Sequence, residues 1–427
     1  MSNWLTNKGA GPWPFVPQPD KLGYVNNPRW TTTPASPVDH EPCGHWWKEQ
    51  LQEIEGFILY GTGFNAEGQL GLDDVANRNV LTWIMDGVKQ VSSGEHHTFV
   101  LKPDGTLWAT GLNASGQLGL GDTVDRLTFV QVGSDKDWVQ VACGEHHTLA
   151  IKTNGTLWGT GSDASGQLGQ DPRTDRQVLT QIGTANNWRQ VETGDAAVHT
   201  HAIRTDGTLW ATGRNDKGEL GLGHNISPWW PFTQIGVDTD WESIAAGQDH
   251  FLAIKTNGTL WATGFNFLGQ LGLGDNADRN TLTQVGVETI WKSITCSDVA
   301  TLALKTDGRL WGTGSNLEGR LGLGAVTLIN VFTQVGIDTL WDSIALGQTG
   351  SHSLSRKTDG SLWATGRNSS GQLGLGDSVT RTVFTRVGNE NDWKNTDAGR
   401  NTSFALKVST VNQPSDRTTP VWPMPTA

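Results

Sequence analysis

Residues 107–122 read LWATGLNASGQLGLGD, and close variants of this stretch occur seven times in the 427-residue chain. The others are FILYGTGFNAEGQLGLDD at 57–74, LWGTGSDASGQLGQDP at 157–172, LWATGRNDKGELGLGH at 209–224, LWATGFNFLGQLGLGD at 260–275, LWGTGSNLEGRLGLGA at 310–325 and LWATGRNSSGQLGLGD at 362–377. The glycine after the shared Thr sets the register: Gly63, Gly111, Gly161, Gly213, Gly264, Gly314 and Gly366, 48 to 52 residues apart. A unit of that length cannot bury its own apolar face, so it must stack on its neighbours.

A second motif lies between the copies: W-x-x-[VI]-x-x-G-x-x-H, then an HTLAIK-like run and K-T-[DN]-G. It opens at Trp138, Trp188, Trp241, Trp291, Trp341 and Trp393, with Val88 in the Trp place of a weaker first copy. HTLAIK and GTLWAT are short β-rich runs. The Asp-Gly or Asn-Gly between them suits a two-residue hairpin turn, as at Asp104-Gly105 and Asn154-Gly155. FTQVG-like runs supply a further strand. Helical periodicity appears only over Trp46–Ile54, and weakly. Three or four short strands used seven times make an all-β, seven-bladed β-propeller. The chain enters on FILYGTG with no HTLAIK strand before it and leaves on SFALKV with no GTLW strand after it. These orphans should pair in one shared N-/C-terminal closing blade, which removes two open sheet edges. The expected organisation is an extended N-terminal arm with a short helix over 1–56, the propeller over 57–408 and a Pro-rich tail over 409–427.

Composition excludes several functions. Net charge is −12 and no Lys/Arg run exists, so neither DNA nor RNA is an expected partner. No apolar run is long enough to cross a membrane, and the N-terminus lacks a signal-peptide pattern. Cys43, Cys143 and Cys296 are widely spaced and odd in number, which argues against a disulfide framework.

The GxNxxGQLGLG signature followed by HTLAIKTDGTLW resembles the regulator-of-chromosome-condensation repeat family, over about four-fifths of the chain. The resemblance implies a seven-bladed propeller with a shared closing blade. Founding members exchange nucleotide on a small nuclear GTPase and bind chromatin, using a β-wedge inserted in one blade. The near-constant spacing here leaves no room for that insertion, and the N-terminus has no basic tail. The uniform, Thr/Asn/Gly-rich copies look more like the bacterial and phage branch.

Most repeated residues are explained by the blade itself. The two Trp columns are core between blades. His97, His147, His199, His250 and His352 share one position, replaced by Ala300 and Thr402. Equivalent positions in different blades lie too far apart for one ion, so these His should hydrogen-bond blade backbone. The Asn of GxNxxG (Asn65, Asn113, Asn215, Asn266, Asn316, Asn368; Asp163 once) should hold its turn, as should the Gln that follows. The clusters Asp122/Asp125/Arg126, Asp171/Asp175/Arg176 and Asp275/Asp278/Arg279 lack calcium-loop spacing and read as exposed ion pairs. His40, Cys43 and His45 are metal-ligand types without an obvious fourth partner. No nucleophile elbow, phosphate loop or HExxH motif appears. Neither catalytic residues, a cofactor nor a metal is expected.

What remains is irregular. The arm carries Trp4, Trp13, Phe15, Tyr24 and Trp30 as spaced aromatic anchors. It either lies across a neighbouring subunit or folds back on its own propeller. HNISPWWPFTQ, an insert-like loop, places Trp229 and Trp230 outside the repeat positions as a candidate partner or glycan contact. The expected function is a non-enzymatic interaction protein docked by its arm onto a larger assembly, foremost the virion proteins of a phage tail, baseplate or capsid exterior. The alternatives are a regulator binding a GTPase-like partner, and a glycan or host-receptor binder. The expected location is the virion, or the cytoplasm outside that setting.

Overall fold

The computed structural model describes residues 56–194, 197–347 and 351–409. Trp4, Trp13, Phe15, Tyr24, Trp30, the Trp46–Ile54 segment, the His40/Cys43/His45 cluster and the tail from residue 410 lie outside the described residues. The described part forms seven four-stranded antiparallel sheets. Six take consecutive strands, over residues 90–131, 138–181, 188–234, 241–284, 291–334 and 341–387. The seventh joins the two ends: strand Thr402–Lys407 pairs with Phe57–Gly63 in the register Ile58↔Lys407 to Gly63↔Thr402. Trp393–Ala398 and Arg78–Val88 complete that sheet, so the complementary orphans of the sequence do share one blade.

The seams between blades are where the signature residues act. Seven Leu of GQL or its variants (Leu70, Leu118, Leu168, Leu220, Leu271, Leu321 and Leu373) are fully buried. Leu118 joins Phe99, Leu101 and Leu107 of its own blade to Trp138 and Val141 of the next. The Thr of each [AG]-T-G run latches the seam. Thr160 donates its hydroxyl to Gly116 O and Arg176 O, both at 2.8 Å. Thr62 does the same across the closing blade, to Gly371 O at 2.9 Å.

The two Trp columns divide their work. Trp138, Trp188, Trp241, Trp291, Trp341 and Trp393 are buried between blades. Their partners, Trp158 and its equivalents, are half-buried and meet them edge-on, as Trp138 and Trp158 do at 5.9 Å. The Lys of K-T-[DN]-G lies over both rings: Lys152 Nζ is 4.7 Å from each centroid and 2.7 Å from Asp135. The repeated Lys thus closes one end of the blade by cation–π contact and ion pairing.

Three sequence expectations need correction. Trp229 and Trp230 are not in an inserted loop but open the strand Trp229–Gln234, the fourth of its blade. Trp229 pairs with Gly213, as Arg126 pairs with Gly111. The Pro-flanked composition concealed a repeat position displaced by one residue. Four of the five repeated His bond side-chain hydroxyls of the next blade, not backbone: His97 Nε2 meets Thr148 Oγ1 at 2.9 Å, His147 meets Thr193, His250 meets Thr301 and His352 Nε2 meets Ser403 Oγ at 2.8 Å. Both ring nitrogens of His199 are instead buried without a partner among the described residues. Finally, Arg126–Asp122 and Arg279–Asp275 are ion pairs at 2.6 Å, but Arg176 instead donates to Gln170 Oε1 at 3.1 Å. There Asp171 precedes Pro172 and the third copy reads GQDP in place of GLGD.

Candidate interaction face

The innermost strands of the blades surround an axial cavity of about 200 Å³. Ser92, Cys143, Glu192, Cys296 and Asp397 line it. Asp397 accepts hydrogen bonds from the Ser93 backbone N–H, at 2.8 Å, and the Ser93 hydroxyl. Burial still pushes its carboxyl up to about 6, and burial pushes Glu192 up to about 7. Burial also raises the Cys143 and Cys296 thiols to about 12, so neither is a reactive thiolate at neutral pH.

At one end of the cavity, among the fully described turns, the innermost strand turns back into the second strand of its blade through the G-x-x-H segment or its variants SDVA at 297–300 and GRNT at 399–402. The glycine there is a packing requirement. A Cβ on Gly94 would lie 2.3 Å from Gly144 O of the neighbouring turn and 2.4 Å from the His97 ring. The two residues in the middle of the turn vary: Glu95-His96, Glu145-His146 and Gln248-Asp249 between Gly and His, Asp298-Val299 between Ser297 and Ala300, and Arg400-Asn401 between Gly399 and Thr402. These turns form a rosette of charge. Arg400 donates to Glu95 and to His96 Nε2, the latter at 3.1 Å. Arg214 pairs with Asp216 at 2.8 Å and Asp249 at 3.1 Å. Arg320 pairs with Asp298 at 2.7 Å.

The GxNxxGQ loops frame the rosette. Asn113 behaves as expected: its Oδ1 accepts from Leu118 N at 2.9 Å and its Nδ2 donates to Asp122 O at 2.9 Å. Gln117 Oε1 accepts from Ser115 N at 2.9 Å. In the fourth copy Glu219 replaces Gln, and burial pushes its carboxyl up to about 7.

Of the site residues expected from sequence, only Trp229 and Trp230 are described. Both are half-buried and engaged within the chain. Trp229 Nε1 donates to Thr233 Oγ1 at 2.8 Å, and the Arg173 guanidinium lies 3.9 Å from the Trp230 ring centroid. The rosette residues were missed. Their signal was present: they are the places where G-x-x-H copies disagree in charge.

A ring of seven sheets with a charged turn rosette defines the chain as a repeat β-propeller. Two sequence profiles, both described as the regulator of chromosome condensation (RCC1) repeat, match it. One covers residues 58–101, 104–151, 206–254 and 359–406, the other 88–117, 138–167, 241–270 and 291–320. The chain belongs to the RCC1 repeat family.

Human protein RCC2 is 40% identical over 87 residues, 20% of this chain and 17% of that protein. The Arabidopsis thaliana ultraviolet-B receptor UVR8 is 35% identical over 86 residues, 19% of each chain. The human X-linked retinitis pigmentosa GTPase regulator is 36% identical over 84 residues, 19% of this chain and 8% of that one. Each match spans a fifth or less of the relative's length. Among solved structures, Prp20p of Saccharomyces cerevisiae superposes with a TM-score of 0.74 at 19% identity, over 86% of this chain and 95% of that one. That structure is described together with its binding to Gsp1p and histones. Human WBSCR16 gives 0.73 at 21% identity, over 83% and 100%. These relatives come from animals, a plant and a yeast, and none points to a phage particle. Among the described residues no helix is long and apolar enough to cross a membrane.

Proposed function

We propose that the chain is a non-catalytic, protein-binding propeller that regulates a GTPase-like partner held on the rosette face. The observation that carries this is the break in symmetry. Scaffold positions repeat around the ring, while the half-buried turns at the G-x-x-H place differ in charge from blade to blade, with Glu95, Glu145, Asp249 and Asp298 acidic and Arg400 basic. Such a pattern selects a partner by electrostatic complementarity. Two similar proteins add support by their descriptions, one as a GTPase regulator and one by its binding to Gsp1p. The virion setting lacks comparable support. The arm anchors Trp4, Trp13, Phe15, Tyr24 and Trp30, with Trp229 and Trp230, form a secondary contact in this reading. A panel of purified small GTPases tests it, by binding and by nucleotide release with and without the chain. Binding of one member, weakened by Arg400→Glu, is expected. No binding and no change in release across the panel would overturn the reading.

A further inference from the structure

Two consecutive blades carry the same triplet in the G-x-x-H turn, Glu95-His96-His97 and Glu145-His146-His147. No other blade repeats it. The third residue of each is the buried seam histidine, bonded through Nε2 to a hydroxyl of the next blade. The first two face the rosette. Because adjacent turns touch, the triplet of one blade is brought against that of the next. One donor atom each from Glu95, Glu145 and His146 lies within 4.8 Å of the other two.

The distances resemble a ligand set more than a hydrogen-bond network. His146 Nε2 is 3.9 Å from Glu95 Oε2 and 3.8 Å from Glu145 Oε1. Both exceed hydrogen-bond length. Two ligands on a tetrahedral zinc ion with bonds of about 2.1 Å stand roughly 3.4 Å apart, so shifts of a few tenths of an ångström would bring the donors to coordinating distance. The division of labour within Glu95 fits as well. Arg400 holds Oε1, which leaves Oε2 facing His146. Arg400, which also donates to His96 Nε2 at 3.1 Å, thereby orients the ligand from behind, as groups outside a metal's own ligands commonly do. The Glu145 and His146 side chains are about one-third exposed, at 34% and 39%, which provides an entry path from solvent.

We propose that Glu95, Glu145 and His146 form a divalent transition-metal site of the Zn²⁺ class at the rosette. Two carboxylates and one imidazole are a three-residue set that leaves further coordination positions open. The site therefore suits an ion that also takes a ligand from outside the chain. It spans two blades, so occupancy would also tie two turns together. The inference stands on the donor geometry and does not depend on the GTPase-like partner.

The test is calorimetric titration of the full chain, stripped with chelator, using Zn²⁺, Mn²⁺, Mg²⁺ and Ca²⁺ in separate arms. One equivalent of Zn²⁺ is expected to bind, with a rise in Tm. Glu145→Gln and His146→Gln, each verified as folded by circular dichroism, should weaken Zn²⁺ binding at least ~10-fold. A third variant, His40→Ala/Cys43→Ser/His45→Ala, should bind Zn²⁺ as the parent does. Co²⁺ substitution should give d–d bands without thiolate charge transfer. No Zn²⁺ binding, preference for Ca²⁺ or Mg²⁺, thiolate charge transfer, or loss of binding only in the third variant would overturn the proposal.

Discussion

Asp163 shows how a single departure from the repeat is felt. Its Oδ1 does the work of the usual Asn, accepting from Leu168 N at 2.9 Å. Its Oδ2 stands where Asn has a donor, buried and without a hydrogen-bond partner. Burial pushes the carboxyl up to about 6. The folded state thus binds the proton more tightly than the unfolded chain, so stability is lost as pH rises from about 4 to about 6. Asp163→Asn restores the amide donor and should stabilise the fold by about 1–3 kcal/mol at pH 7, measured by urea unfolding. An unchanged midpoint would contradict this. The buried histidines act in the opposite sense. His97, His147, His199 and His250 are held at about 3 by burial, below the value of about 6.5 in the unfolded chain. Their contribution is complete above pH 6.5 and is lost as pH falls towards 3. Thermal melts should show Tm dropping below pH 6.5 even as Asp163 is relieved. Replacing His97 and His250 with Gln should flatten that drop.

The seam and the closing blade are the elements that decide cooperativity. Thr160→Val removes a hydroxyl that serves two carbonyls and should cost about 1–3 kcal/mol. Phe404 of the closing blade is fully buried against Leu59, Leu70 and Ile84. Phe404→Ala should cost about 3–5 kcal/mol and should loosen the strand Phe57–Gly63 first, because the pairing at residues 58–63 is what shuts the ring. Hydrogen exchange across Phe57–Gly63 reads this directly; protection equal to the parent's would count against the closure. Much of this level is legible in the sequence. The complementary half-repeats at the ends reveal the shared blade, and the 48–52-residue period reveals seven of them. The His–hydroxyl bond is harder to read, because His and its partner lie 51 residues apart (His97 to Thr148) and both look like core positions of their own blades. Trp229 misled because Pro228 and Pro231 flank it, and proline normally marks a break from strand pairing.

At the scale of the whole ring, repetition builds the scaffold and exceptions provide the surface. The rosette was hidden in sequence for a physical reason: Glu95, Glu145, Asp249, Asp298 and Arg400 are each unremarkable alone, and only closure of the ring gathers their turns around one cavity. The opposite end of the blades has its own exceptions, the exposed Val237, Val287 and Ile337 on three successive blades. The two ends thus offer rival surfaces, one charged and one apolar. Binding by a responsive GTPase-like partner should separate them. The decisive measurement compares its affinity for the parent chain, for Arg214→Glu/Arg400→Glu on the rosette and for Val237→Asp/Val287→Asp/Ile337→Asp on the other end. Loss of at least ~10-fold, or about 1.4 kcal/mol, in the rosette variant alone is the predicted result. Loss confined to the apolar-end variant would contradict it.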